Sequence, residues 1–149
     1  MDLPICQTIR RHGLWEDGAA DDCVELDYDQ RLLRRKVLTT AGGQRILIDL
    51  DRITGLDHGD ALELGDGRLI AVIAASEALL EVTATDLIRL AWHIGNRHAP
   101  CQIEPDRLLI RRDHVIQDML QGMGATVRNV TAPFTPEGGA YGHGRTHGH

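Results

Sequence analysis

Apolar positions in the first half of the chain alternate with polar ones over short runs, and turn-forming residues bound each run. CVELDY (23–28), RLLRRKVLTT (31–40), QRILIDL (44–50), ALEL (61–64) and RLIAVIAA (68–75) each read as a strand with one face turned to a core. Gly42 with Gly43 and Asp66 with Gly67 stand between such runs, where a tight hairpin needs a positive φ, and His58, Gly59 and Asp60 mark another turn. The pattern predicts an all-β domain over residues 1–75, built of antiparallel strands, with LPICQTI (3–9) as an edge strand. Residues 17–22 read as a polar loop with no assigned structure.

Around Ala74, Ala75 and Ser76 the pattern changes to strands alternating with helices, which places a domain boundary near residue 75. ALLEVTA (78–84) reads as a strand. Thr83 or Thr85 can cap a helix that turns Leu87, Ile88, Ala91, Trp92 and Ile94 inward and ends near Gly95 and Asn96. CQIE and RLLIR, split by Pro105 and Asp106, read as a hairpin. Asp113 caps a second helix that turns Val115, Ile116, Met119, Leu120 and Met123 inward and closes at Gly122 and Gly124, and TVRNVT is the last strand. The fold class is therefore α+β: an N-terminal all-β domain (1–75), then a ferredoxin-like β-α-β-β-α-β domain (76–136) with both helices on one face of its sheet. The Pro-, Gly- and His-containing segment 137–149 has no apolar period and is expected to be a flexible tail.

Composition narrows the functions open to such a fold. With 22 acidic residues against 16 basic ones the net charge is -6, and only five aromatics are present, so no nucleic-acid partner is expected. The longest apolar run, residues 69–75, is far too short to span a bilayer, and the first residues carry no apolar signal segment, so a cytoplasmic protein without membrane attachment is expected. Cys6, Cys23 and Cys101 are odd in number and widely spaced, which predicts reduced thiols and no Cys-based zinc site. Lys36, the only lysine, lies in no phosphate-binding loop motif.

Candidate chemistry rests on histidine. Three of the eight, His143, His147 and His149, fall in the last seven residues as GHGRTHGH, where glycines leave the backbone free to wrap an ion. An all-imidazole set suits zinc, copper, iron and nickel, and favours none of them strongly. His93 and His98, five apart in HIGNRH, would diverge by about 140° on an unbroken helix, so they do not pair on one ion, and the spacing is not that of a zinc hydrolase helix. His114 lies in the first turn of the second helix, where the dipole favours a neutral imidazole able to ligate. His12 and His58 read as surface or turn positions. A metal- or Cys-dependent hydrolase built on His98, Cys101 and His114 remains open on these residues alone, as does a client-binding scaffold module with incidental histidines.

LAWHIGNRHAPCQI (90–103), DHVIQDML (113–120) and APFTPEGGAYGHG (132–144) together resemble the urease accessory protein UreE family of nickel metallochaperones, and LELGDGRLIAVIAA fits that family's N-terminal domain less specifically. The resemblance implies a non-enzymatic carrier of Ni(II), with Zn(II) or Cu(II) as possible occupants of the same or peripheral sites. It implies a homodimer through the C-terminal domains, in which the GNRH histidine, His98 here, is contributed by both subunits to one nickel on the two-fold axis, assisted by tail histidines among His143, His147 and His149. DHV places His114 at a peripheral metal site, but Arg112 stands where some members carry a second histidine, which leaves that site incomplete. His93 matches a position that supports the site without ligating. The implied partners are the urease accessory GTPase and the urease maturation complex, and the short tail implies delivery with modest storage. Because an imidazole must be neutral to ligate, such a site is expected to release its metal as pH falls toward about 6.

Overall fold

Alternating burial builds the strands of the first unit as the sequence pattern requires. The computed structural model describes residues 2–138, which divide into two units, one ending at Ala75 and the other running from Ser76 to Gly138. The first contains β1 (Ile5–Arg10), β2 (Asp22–Leu26), β3 (Leu32–Thr39), β4 (Arg45–Gly55), β5 (Ala61–Leu64) and β6 (Leu69–Ala74), in the sheet order β2-β6-β5-β1-β4-β3. Ile46, Ile48 and Leu50 of β4, Leu62 and Leu64 of β5, and Ile70 and Val72 of β6 recur at every second residue and form one buried cluster. The polar stretch before β2 holds a 3-10 turn at Asp17–Ala19.

Two sequence expectations are corrected in this unit. β1 is central, paired with β5 on one side and β4 on the other. The sheet is also mixed: β1 runs parallel to β4 and β2 runs parallel to β6. The edge positions belong to β2 and β3. On β3, Lys36 is in register with Ile48 and is itself exposed, so the only lysine of the chain stands on an edge strand, where a charge discourages pairing with another chain.

The turn at residues 57–60 is more than local turn chemistry. Asp60, buried, accepts from Arg11 Nη1 at 2.8 Å and from the backbone N–H groups of His12 at 2.9 Å and Asp57 at 2.8 Å. Gly59 adopts φ +92°, and a Cβ there would stand 2.5 Å from His12 Nδ1. His58 Nδ1 accepts from the Ala74 N–H at 3.1 Å. His12 and His58 thus belong to the scaffold of this unit.

The second unit contains β7 (Ser76–Thr83), α1 (Leu87–Asn96), β8 (Gln102–Ile103), β9 (Leu108–Arg111), α2 (His114–Gly122) and β10 (Thr126–Pro133). Its sheet order is β10-β7-β9-β8 with every pair antiparallel, the arrangement of the expected split βαβ fold. Leu80, Val82, Leu108 and Ile110 of the sheet pack with Leu90, Ile94, Ile116 and Leu120 of the two helices. Asp113 caps α2 as expected, accepting from the N–H groups of Val115 and Ile116. The cap of α1 is Asp86, which accepts from the Arg89 N–H, and not a threonine.

The inward faces of the helices also differ from expectation. α1 buries Leu90 and Ile94, whereas Ile88 and Trp92 are 86% and 64% exposed. On α2, Val115 points outward while Ile116 and Leu120 are buried. Apolar residues surround α1 on nearly every side, so its spacing alone does not fix which stripe meets the sheet. Among the described residues no helix is long and apolar enough to cross a membrane.

Glu81, between Leu80 and Val82 and so on the opposite face of β7, accepts from Arg107 Nη1 at 2.9 Å and from Arg128 Nε at 2.9 Å and Nη2 at 2.6 Å. The Arg107 hydrogen bond first, and then that of Arg128, holds the Glu81 carboxyl below its ordinary value. A carboxyl with a depressed folded-state pKa contributes stability that is present above its unfolded pKa and lost as pH falls through the folded value. The unfolding midpoint of the protein should therefore fall with acidification below the usual glutamate range, about 4.3, and Glu81→Gln should be less stable at neutral pH and flatten that acid limb. An acid limb unchanged in Glu81→Gln, measured by thermal melts across pH, would contradict this role.

Candidate metal centre

Strand direction decides which residues can meet. Because β7 and β9 are antiparallel, α1 returns to the end of the sheet where β7 begins, and α2 starts from that same end. Pro133, the last residue of β10, is in register with Ser76, so the chain beyond β10 also leaves from there. The loop carrying His98, the first turn of α2 carrying His114, and the root of the tail therefore share one end of the unit. Both histidines are exposed.

The backbone at His98 is unusual. The C-cap of α1 is Arg97. His98 comes next with φ +57°, the only non-glycine among the described residues with positive φ. Its N–H donates to Gly95 O at 2.9 Å, and the N–H of Ala99 donates to Ile94 O at 3.4 Å. These two bonds form a Schellman closure, and His98 occupies the left-handed position that usually falls to glycine. The helix thus ends between His93 and His98, and the two lie on different local structures. His93 stays on α1, with its ring edge-on to Trp92 at a centroid separation of 5.0 Å.

His114 is the first residue of α2, directly after the capping Asp113. Arg112, two residues before His114, donates to Leu79 O at 3.2 Å and Val130 O at 3.3 Å. It ties β7 to β10 and offers no ligand.

Cys101 does not support nucleophilic chemistry. Burial first, and then the carboxylate of Glu137, pushes its thiol up to about 11, so thiolate is scarce near neutrality. Among the described residues no group of three or more His, Cys, Asp or Glu side chains stands together as an ion site. His143, His147 and His149 lie outside the described residues.

The tail's root is held in place, which the composition did not foretell for Glu137. Phe134 is fully buried, the Thr135 N–H donates to Gln102 Oε1 at 2.8 Å, and the Glu137 N–H donates to Cys101 O at 2.9 Å. Neither the role of Gln102 nor the outward placement of Ile88 and Trp92 is evident from sequence. The only signals there are the glutamine in PCQI and the i, i+4 spacing of the two apolar residues.

Comparison with known proteins decides the family. The model of the UreE urease accessory protein N-terminal domain matches residues 3–75, and that of the C-terminal domain matches residues 77–149. The chain belongs to the UreE family of urease accessory proteins. It is 67% identical over 149 residues to the UreE of Ruegeria pomeroyi, covering 100% of this chain and 99% of that one. It is 63% identical over 147 residues to the UreE of another Ruegeria species and 56% identical over 148 to that of Cereibacter sphaeroides, covering 84% and 80% of those chains and 99% of this one in each case. As a UreE family member the chain is an accessory factor in urease maturation and not an enzyme, which sets aside the hydrolase reading.

A left-handed histidine where glycine is favoured carries a backbone cost, and such strain persists where the side chain is needed. His98→Gly should therefore leave the fold intact and raise its stability by about 0.5–1 kcal/mol. Chemical denaturation is the check, and a midpoint clearly below that of the wild-type protein would show that the His98 side chain itself supports the fold.

Proposed function

We propose that this UreE family member carries nickel as its cargo and delivers it for assembly of the urease active site. In this reading two chains associate through their C-terminal domains, and one His98 from each meets at the two-fold axis to hold one Ni(II). Imidazoles among His143, His147 and His149 add ligands, and His114 serves a peripheral position. Zn(II) and Cu(II) compete for the same donors, since imidazole binds all three ions. The recipient is the accessory GTPase of the urease maturation complex in the cytoplasm, and the β-rich domain of residues 1–75 receives a partner.

The observation that carries this reading is the placement of His98: exposed, in a left-handed turn, at the end of the unit where His114 and the tail's root converge. A single chain offers no three-ligand set among its described residues, so a second copy and the tail are the natural sources of further donors. The surface of α1 supports a second copy as the occupant. Ile88 and Trp92 lie one helical turn apart on its outer face, and that stripe leads toward His98. An isologous contact along it would set each His98 opposite itself and bury both side chains.

Two kinds of ligand make transfer feasible. The backbone around His98 is fixed by the Schellman bonds, so the pair recognises the ion, while tail imidazoles can leave one at a time and lower the barrier to release.

Calorimetric titration with Ni(II), alongside native mass determination, tests the reading on the intact protein, His98→Ala and Trp92→Asp. The wild-type protein should bind about one tight nickel per dimer. His98→Ala should lose that step while remaining dimeric, and Trp92→Asp should shift toward monomer and lose it as well. Tight binding preserved in His98→Ala, or by a Trp92→Asp monomer, would overturn the shared site.

A further inference from the structure

We infer that the edge of the N-terminal sheet at β3 is a docking strip for an acidic, extended segment of a partner protein. The inference rests on the proposed receipt of a partner by residues 1–75 and gives that partner a chemistry. Basic residues gather there against the trend of the chain. Residues 34–52 carry five basic residues against two acidic ones, whereas the other 130 residues carry eleven against twenty. In a protein of net charge -6 this is a local reversal of sign, and it lies along an edge strand.

Strand geometry makes the reversal accessible. A strand packed on one face buries every second residue, yet Arg34, Arg35, Lys36 and Val37 are four consecutive exposed residues. Both faces of β3 therefore meet water at its middle. The register accounts for part of this: Leu33 pairs with Thr54 and Arg35 with Asp49, so β4 sets residues 50–53 opposite Arg34 alone. That bulge includes Arg52 and Ile53, both exposed. Arg35 is paired with Asp49 at 3.2 Å. Arg34, Lys36, Arg45 and Arg52 have no carboxylate partner among the described residues.

Apolar residues lie among these charges. On the outer face of the sheet Val37 is in register with Leu47, and Leu47 with Ile5 of β1, so the three form a row across three strands. Val37 and Ile5 are 38% and 43% exposed. The Arg35–Asp49 pair flanks the row on one side, and Arg45, in register with Thr39, flanks it on the other. A nucleic acid would find no ring to stack on, since residues 34–52 contain no aromatic. An extended polypeptide with carboxylates around apolar side chains matches both features. Its apolar side chains cover the row, and its carboxylates meet guanidinium groups whose planar forks suit them. The same charges hold off a second β3 edge, which would bring like charges together.

The test uses the full-length protein and three fluorescein-labelled probes read by anisotropy: a short peptide of alternating Glu and Val, the same peptide with Gln for Glu, and a thymidine oligonucleotide of equal length. The Glu peptide should bind best, weaken as salt rises, and weaken about tenfold in the double variant Arg34→Glu/Lys36→Glu. Arg89→Glu, which reverses an exposed charge in the other unit, should bind it as the wild-type protein does. Thermal melts check the fold of the double variant. If it melts early, Arg34→Gln/Lys36→Gln, which introduces no new charge, takes its place with an expected loss of about threefold. The purified urease maturation complex is titrated in parallel and should show the same loss.

Failure of the inference and failure of the reading beneath it look different. If the maturation complex binds the wild-type protein and the double variant alike, or if the Glu and Gln peptides bind alike, the strip is overturned while a partner is still received elsewhere. A loss in Arg89→Glu as large as in the double variant would assign the effect to net charge, and an oligonucleotide bound more tightly than the Glu peptide would assign the strip to nucleic acid. Either result overturns the inference. If the maturation complex does not bind the wild-type protein at all, the reading itself falls, and the strip falls with it.

Discussion

The reversal that ends α1 is the constraint on which the C-terminal unit depends. A helix of ten residues must stop, turn and deliver the chain to an edge strand only two residues long. It does so by placing His98 at the left-handed position of a Schellman closure, with Gly95 and Ile94 carbonyls satisfied by the next two amides. A glycine would make the same turn without strain. Holding a histidine there fixes the exit direction of the backbone and presents an imidazole from a rigid corner. The rest of the proposed chemistry is arranged around that corner by topology, since the antiparallel order of the sheet brings the start of α2 and the end of β10 to the same end of the unit.

In the proposed site, rigid and detachable donors would come from different parts of the chain. The His98 corner and the first turn of α2 are locked by backbone hydrogen bonds and by the Asp113 cap. The chain after β10 is secured as far as Glu137 by a buried Phe134 and by amides donated to β8 and its preceding residue. The proposed carrier role would call on both properties: donors placed well enough to select an ion, and donors free enough to surrender it. Neighbouring groups with competing chemistry are held out of play. The Cys101 thiol is kept protonated by burial and by Glu137, and Arg112 is committed to the carbonyls of Leu79 and Val130.

Much of the fold was legible because local patterns encode it. Period-two alternation in β4, β5 and β6, the glycine turns between strands, the Asp113 cap and the β-α-β-β-α-β order all depend on neighbours in sequence. What escaped depends on distant pairing or on phase. The parallel partnership of β1 with β4 and of β2 with β6 joins segments more than forty residues apart, which no local alternation reveals. α1 carries apolar residues at 87, 88, 90, 91, 92 and 94, so several inward stripes are compatible with its spacing, and the sheet selects the one containing Leu90 and Ile94. Histidine content and the GNRH text pointed to His98, yet nothing in the sequence shows its left-handed backbone. Gln102 is in plain view within PCQI, but its bond to the Thr135 amide joins residues 33 positions apart.

In the proposed assembly one nickel ion joins two copies of His98. A crystal structure of the nickel-loaded protein, with anomalous differences collected at the nickel edge, tests it most directly. A single strong peak is expected on a two-fold axis between two chains, within bonding distance of His98 from each. A principal nickel peak bound by the residues of one chain alone, away from His98, would contradict it.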